Sequence, residues 1–245
     1  MRNAFLVSIF LSMSALAVWA QSSTEAAPAA KPSTAAKPAV HHAATGNPTA
    51  VIETTAGTLT CTLFPDKAPI GVENFIGLAT GTKDWKSPNG TTKHGVPLYD
   101  GTIFHRVIPG FMIQGGDPAG TGSGPDPVDK FKNEVSPDLL FDKPGRLAYA
   151  NAGPNTNSSQ FFITETAQPH LNGNYTLFGQ CDDASVVLVK EIARKATDPS
   201  NDRPFRPVKI VHIKIVHGAV AAAAKPATPA KKPASAAPAA PATPN

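Results

Sequence analysis

One cation stands among large apolar residues in the stretch FHRVIPGFMIQGGD, residues 104–117. Arg106 does not shed its proton, and burying it unpaired is costly, so its guanidinium must reach water or be met by acceptors. Such a group is an obligate hydrogen-bond donor. The residues around it read as strand, tight turn, strand. Phe104, Arg106 and Ile108 alternate with His105 and Val107, the chain turns at Pro109-Gly110, and Phe111-Met112-Ile113-Gln114 resumes. Gln114 falls on the same face as Met112 and could hold the guanidinium in place. His105 falls on the opposite face from Arg106 and is read as structural. The same pattern also fits an ordinary strand arginine lying over apolar neighbours with its head in solvent.

Other chemistry finds fewer residues to stand on. The run GGDPAGTGSGPDP, residues 115–127, lacks the GK[ST] ending of a phosphate loop and opens no helix. Its glycines suit backbone that an extended peptide approaches closely. His41-His42 is a stray polar pair, because a metal site needs three or four ligands in fixed geometry. No CxxC, HExxH or GxSxG pattern occurs, so redox, zinc-protease and serine-hydrolase chemistry are not indicated.

A second stretch, GRLAYANAGPNTNSSQFFI (145–163), ends in the apolar run Phe161-Phe162-Ile163, and a third, HLNGNYTLFGQ (170–180), follows. With these three segments in order, the sequence over roughly residues 50–216 resembles the cyclophilin family of peptidyl-prolyl cis/trans isomerases. The resemblance implies a closed, antiparallel, eight-stranded β-barrel capped by two α-helices, and catalysis of rotation about X-Pro bonds without a cofactor. It implies that Arg106 donates to the proline nitrogen, that Phe111, Met112, Phe162 and Leu171 wall an apolar pocket, and that Gln114 steadies Arg106. It places Gly120 beside the peptide groove, gives the Ala150-Asn151-Ala152 run to substrate backbone, and has Gln160 line the same groove. His170 stands where many members have Trp and Tyr175 where many have His. The tryptophan position helps sensitive members bind the cyclic peptide cyclosporin, so reduced sensitivity is expected here. The implied partners are proline-containing unfolded or partly folded polypeptides, met by a monomer. A non-catalytic module holding proline peptides, as a chaperone or scaffold, is the alternative.

The elements that must position these residues follow the chain. Residues 50–64 read as a hairpin joined at Thr55-Ala56-Gly57, and Ile70–Thr80 as a helix stopped by Gly81. Residues 81–97 form a polar loop with no assigned chemistry. Asp183 is read as the cap of a helix over 184–196, with Val186, Val189, Ile192, Ala193 and Ala196 inward. The last strand, Val208–Val216, alternates Val211, Ile213 and Ile215 against His212 and Lys214. Cys61 and Cys181 each occupy an apolar strand position. They fit two small core residues, or a disulfide if the chain is exported, since the resembled fold places both strands in one barrel.

The ends of the 245-residue chain read differently. Residues 1–20 carry Arg2, an apolar run and a small-residue finish at Ala20, the pattern of a cleaved signal peptide, so export, with the periplasm as destination, is expected. Residues 21–49 and 218–245 are Ala/Pro/Lys mixtures that bury too little apolar surface to offset their ordering entropy, and are read as disordered tails around a domain at 50–217. Residues 47–218 hold 16 Lys+Arg against 17 Asp+Glu, so the net charge of +4 belongs to the ends. The domain therefore offers no nucleic-acid footprint, and no stable membrane insertion is expected after cleavage.

Overall fold

A computed structural model describes residues 46–218. The expected signal segment, His41-His42, most of the first tail and the second tail from residue 219 lie outside the described residues. The chain runs β1 (Thr49–Thr54), β2 (Gly57–Leu63), α1 (Pro69–Thr80), β3 (Trp85–Lys86), β4 (Thr92–Lys93), β5 (Arg106–Ile108) and β6 (Met112–Gly115). It continues with β7 (Arg146–Tyr149), β8 (Phe161–Thr164), a 3-10 turn at Pro169–Leu171, β9 (Leu177–Cys181), α2 (Asp183–Ala193), β10 (Thr197–Asp198), β11 (Arg203–Pro204) and β12 (Ile210–Val216).

Eight strands form one sheet in the order β12-β1-β2-β9-β7-β8-β6-β5, antiparallel at each pairing. The sheet curls, but no ladder joins β5 to β12. Residues just before β5 meet the start of β12 at the isolated bridge Ile103–Lys209, with Phe104 N–H donating to the Val208 carbonyl (3.0 Å), Ile210 N–H to the Thr102 carbonyl (2.8 Å) and Gly101 N–H to the Ile210 carbonyl (2.8 Å). The expected closed barrel is therefore an eight-stranded curled sheet, because only residues 101–104, ahead of β5, reach the β12 edge and β5 itself pairs with β6 alone.

Strands β7 and β8 are buried along their whole length and β6 nearly so, which explains the continuous apolar runs there, whereas β2 and β12 alternate buried with exposed residues. Ile113, Phe161 and Ile163 join the main core with Ile52, Leu59, Phe75 and Phe178. Their immediate neighbours Met112 and Phe162 point the other way, into a second cluster with Phe141, Leu171 and Leu177. Helix α1 closes the main core through Phe75, whose ring lies 5.2–5.6 Å from those of Tyr99, Phe161 and Phe178. Tyr149 pins that helix, donating to the Gly71 carbonyl (2.8 Å) and accepting from Asn74 (3.0 Å). The Glu134 carboxylate accepts the first-turn N–H groups of Ile70 and Gly71 (3.0 and 2.7 Å), satisfying donors that a helix leaves open.

Several boundaries differ from the sequence reading for local reasons. Strand pairing begins at Thr49, with Leu63 N–H on the Pro48 carbonyl (2.8 Å), so the domain starts before residue 50. Pro69 occupies the first turn of α1, where its missing N–H costs nothing. Asp182, not Asp183, caps α2 by accepting from Ser185 N–H, and the helix ends at Ala193, leaving Ala196 exposed. Val211 is 53% exposed because the β1–β12 register slips between Glu53 and Thr54, which shifts the inward set to Ile210 and Ile213. The loop at 81–97 contains the β3–β4 hairpin, held by the buried Trp85 donating to the Val96 carbonyl (2.7 Å). Cys61 and Cys181 face each other across β2 and β9 and form a disulfide, their Cα atoms 3.7 Å apart. Among the described residues no helix is long and apolar enough to cross a membrane.

Candidate active site

A groove of about 520 Å³ lies over the second apolar cluster. Its floor is Met112, Phe162 and Leu171, with Phe111 and Tyr175 at its sides. Strand β6 supplies Met112 and Gln114 on one face because alternate strand residues share a side. Phe162 sits beside Gln114 in the β6–β8 register. Tyr175 meets Phe162 edge to face at 5.5 Å, and Phe141 stacks behind Phe162 at 5.9 Å, so the floor is backed by ring contacts.

Phe111 is presented by a turn that several groups hold. Gly110 takes φ 74°, where a side chain would be strained, and Phe111 N–H closes the turn on the Ile108 carbonyl (3.1 Å). The Gly110 carbonyl accepts from Thr166 (2.7 Å) and Gln168 (2.9 Å), while its N–H donates to Glu165 (2.8 Å). Glu165 is itself buried and is paired with Arg194 (2.7 Å) beyond the end of α2. His170, on the 3-10 turn, does not line the cavity; its ring lies 5.9 Å from that of Phe111 at the edge.

Arg106 lines the groove with its side chain 42% exposed. Gln114 pairs with it across the β5–β6 ladder, and the Gln114 amide N–H donates to Gln160 Oε1 (2.9 Å). The group that meets Arg106 is Asp202, whose carboxylate lies 3.5 Å from Nε. His105 lines the same groove although strand alternation sets it apart from Arg106, and it is 4% exposed with both ring nitrogens unpartnered. Burial pushes the His105 pKa below its ordinary value, opposed by the Asp117 charge.

A second hollow of about 240 Å³ adjoins the first across Gln114, Gly122, Ser123, Ala150 and Asn151. Ala152 and Gln160 line this hollow and not the main groove. Gln160 links the two, accepting from Gln114 and donating to the Gly122 carbonyl (3.2 Å). Ala150 N–H is already taken by the Gln160 carbonyl (3.0 Å), and the Asn151 side chain donates to the Asn174 carbonyl (3.1 Å). Gly120 lines neither space; its carbonyl accepts the Arg203 guanidinium. Gly122 reaches the wall instead, in a loop folded around Asp117, and a Cβ there would stand 3.0 Å from the His105 ring. Burial alone would push the Asp117 carboxyl up, but backbone donors from Ala119, Gly122 and Thr121, with the Thr121 hydroxyl, outweigh it and hold the pKa below the usual carboxylate range.

Residues that sequence reading did not name also face the groove: Thr121, Gly122, Ser123, Asn201 and Arg203. The last two, and Asp202 beside them, come from the loop between β10 and β11, which carries no periodic signal that would bring it to β5.

A family model covers most of this chain: residues 49–215 match the cyclophilin type peptidyl-prolyl cis-trans isomerase/CLD family. Peptidyl-prolyl cis-trans isomerase A of Mycobacterium tuberculosis is 54% identical over 168 residues, covering 68% of this chain and 91% of that protein. Peptidyl-prolyl cis-trans isomerase B of Streptomyces anulatus is 46% identical over 167 residues, covering 68% and 95%. A crystal structure of a Cryptosporidium parvum cyclophilin-type peptidyl-prolyl cis-trans isomerase is 34% identical with a TM-score of 0.60, covering 71% of this chain and 99% of that one. A second crystal structure of it, in the presence of the dipeptide Ala-Pro, has a TM-score of 0.58 at 34% identity, covering 69% and 99%. The chain belongs to the cyclophilin-type peptidyl-prolyl cis-trans isomerases, a family of enzymes.

Proposed function

We propose that this protein accelerates cis/trans rotation about X-Pro bonds in unfolded or partly folded polypeptides, with Arg106 donating to the proline nitrogen as the amide loses planarity. The observation that carries this reading is a permanently charged donor on the wall of a groove whose floor is apolar. Amide resonance sets a barrier of ~18–20 kcal/mol, and no bond to the substrate need form. A catalyst must favour the twisted state, in which the proline nitrogen is pyramidal and its lone pair accepts a hydrogen bond.

Magnitudes divide the work between two parts of the groove. A 10⁴-fold acceleration corresponds to roughly 5.5 kcal/mol of preferential binding of the twisted state. The Arg106 side chain is 42% exposed in the free groove, so the ~3–4 kcal/mol of a well-placed donor in a dry site applies once the bound peptide displaces water from it. The rest comes from holding the proline ring against Phe111, Met112, Phe162 and Leu171 while the preceding carbonyl swings. Ala150, Asn151, Ala152 and Gln160, at the adjoining hollow, fix the chain on the other side of the rotating bond.

The test is isomerisation of an X-Pro tetrapeptide, followed by protease coupling and by exchange NMR. Arg106→Ala is expected to lower kcat/KM by about 10²–10³ while peptide binding persists. A native protein as slow as this variant, yet able to bind peptide, would replace the enzyme with a passive proline-peptide holder. The pattern of residues 1–20 further supports export to the periplasm, which cell fractionation and N-terminal sequencing of the mature chain would test.

A further inference from the structure

We infer that Asp202 is a positioning residue for Arg106: its carboxylate anchors the guanidinium at Nε, so that the two terminal amino groups are left for the groove. The inference rests on the role proposed for Arg106. Among the described residues Asp202 is the one carboxylate paired with that arginine, at 3.5 Å.

Three features set this pair apart from a chance meeting of surface charges. The Asp202 backbone is fixed to β5 beside its partner, because Val107 N–H donates to the Asp202 carbonyl (3.0 Å). The loop around it is also held: Asp202 N–H donates to the Asp198 carbonyl (2.9 Å), and the next residue, Arg203, reaches across to the Gly120 carbonyl. Finally, Asp202 takes φ 58°, a region that favours glycine and that only Asn155 shares among the described non-glycine residues. Such conformations persist where the surroundings impose them, and they gather at functional sites. Glycine would suit this backbone without strain, but it would bring no carboxylate to Arg106.

The pair does not bury the arginine. The side chains are 42% and 41% exposed, so their attraction is modest and salt weakens it. Its effect is on orientation. A long side chain bound only by its stem samples solvent-facing rotamers, and each excursion removes the donor from the reacting nitrogen. Loss of the anchor therefore lowers kcat and leaves KM, which reflects the apolar floor, nearly unchanged.

The experiment uses the full chain and the tetrapeptide assay, with kcat and KM measured separately and thermal midpoints recorded. Asp202→Asn is expected to lower kcat about three- to tenfold with KM within about twofold, and Asp202→Glu to recover part of the loss. Asp202→Gly is expected to show the same fall in kcat without a lower thermal midpoint, which separates positioning from folding. In an Arg106→Ala background, Asp202→Asn should cost nothing further, because the group it positions is gone. Added salt should bring the native kcat down towards that of Asp202→Asn. The inference is overturned if Asp202→Asn and Asp202→Gly keep the native kcat, or if Asp202→Asn costs as much without Arg106 as with it. Should Arg106→Ala itself be as active as the native protein, the proposed role of the arginine fails and this inference with it. If Arg106→Ala is inactive and both position-202 variants run at full rate, only the present inference falls.

Discussion

Removing the Glu165 carboxylate should loosen the turn that presents Phe111, and the structure allows the effect to be sized. The Gly110 N–H donates to Glu165 at 2.8 Å, and a hydrogen bond to a charged acceptor contributes ~1.5–3 kcal/mol. The Arg194 pair adds at most ~1 kcal/mol, because the arginine is half exposed and screened. Glu165→Ala is therefore expected to cost about 2–4 kcal/mol, or a fall of ~4–16 °C in the thermal midpoint for a domain of this size. Thr166 and Gln168 still hold the Gly110 carbonyl, so the turn should fray without being lost. With Phe111 less well placed, kcat/KM at a temperature where the variant is folded should fall by about tenfold. Glu165→Gln keeps an acceptor for the Gly110 N–H and loses only the charge, so most of the activity should remain. Calorimetry beside the tetrapeptide assay measures both quantities. If the Gln variant is as slow as the Ala variant, the ion pair with Arg194 carries the effect, and the Gly110 N–H bond is not what places Phe111.

Asp117→Ala removes the acceptor shared by Ala119, Thr121 and Gly122, and should cost about 2–4 kcal/mol while disordering the groove wall at Gly122 and Ser123. Amide hydrogen exchange at 119–123 and the thermal midpoint would report it. Because the folded state lowers the Asp117 pKa, this carboxyl contributes stability above its unfolded pKa that is lost as the pH falls through the folded value, so native and Ala proteins should converge in denaturation below about pH 4. His170→Trp places an indole beside Phe111 at the groove edge and should strengthen cyclosporin inhibition by about tenfold or more; unchanged inhibition would rule out position 170 as the source of reduced sensitivity.

The apolar strands and their turn were legible because each carries a local rule. The Pro109-Gly110 turn, the alternation in β1 and β2 and the Gly81 stop of α1 all follow from single-residue preferences. The floor residues Met112 and Phe162 could be assigned to a pocket only through resemblance, since a run such as Phe161-Phe162-Ile163 does not say which face holds the core and which the groove. The register slip opposite Val211 was illegible for the same reason: alternation predicts a phase, and a bulge changes that phase without altering composition. The carboxylate beside Arg106 was illegible for a different reason: Gln114 is a same-face neighbour along the strand, whereas Asp202 arrives from 96 positions away through a short polar loop.

The placement of the groove has a consequence for how rigidly it is held. Strands β6 and β8 are buried on both faces, so Met112 and Phe162 cannot shift without disturbing Ile113, Phe161 and Ile163 in the main core. The floor is thus tied to the stability of the whole domain. The walls are held more locally: the Phe111 turn and the Gly122 loop each lean in part on a carboxylate, Glu165 and Asp117, and Arg106 on β5 meets the Asp202 carboxylate from the β10–β11 loop. A polypeptide client must enter and leave while its proline ring is gripped, and that asks for a fixed floor under walls that can yield locally. Substitutions in the floor should therefore lower stability and activity together, whereas Asp202→Gly should lower activity alone. A kcat loss at position 202 accompanied by a matching fall in global stability would contradict this division.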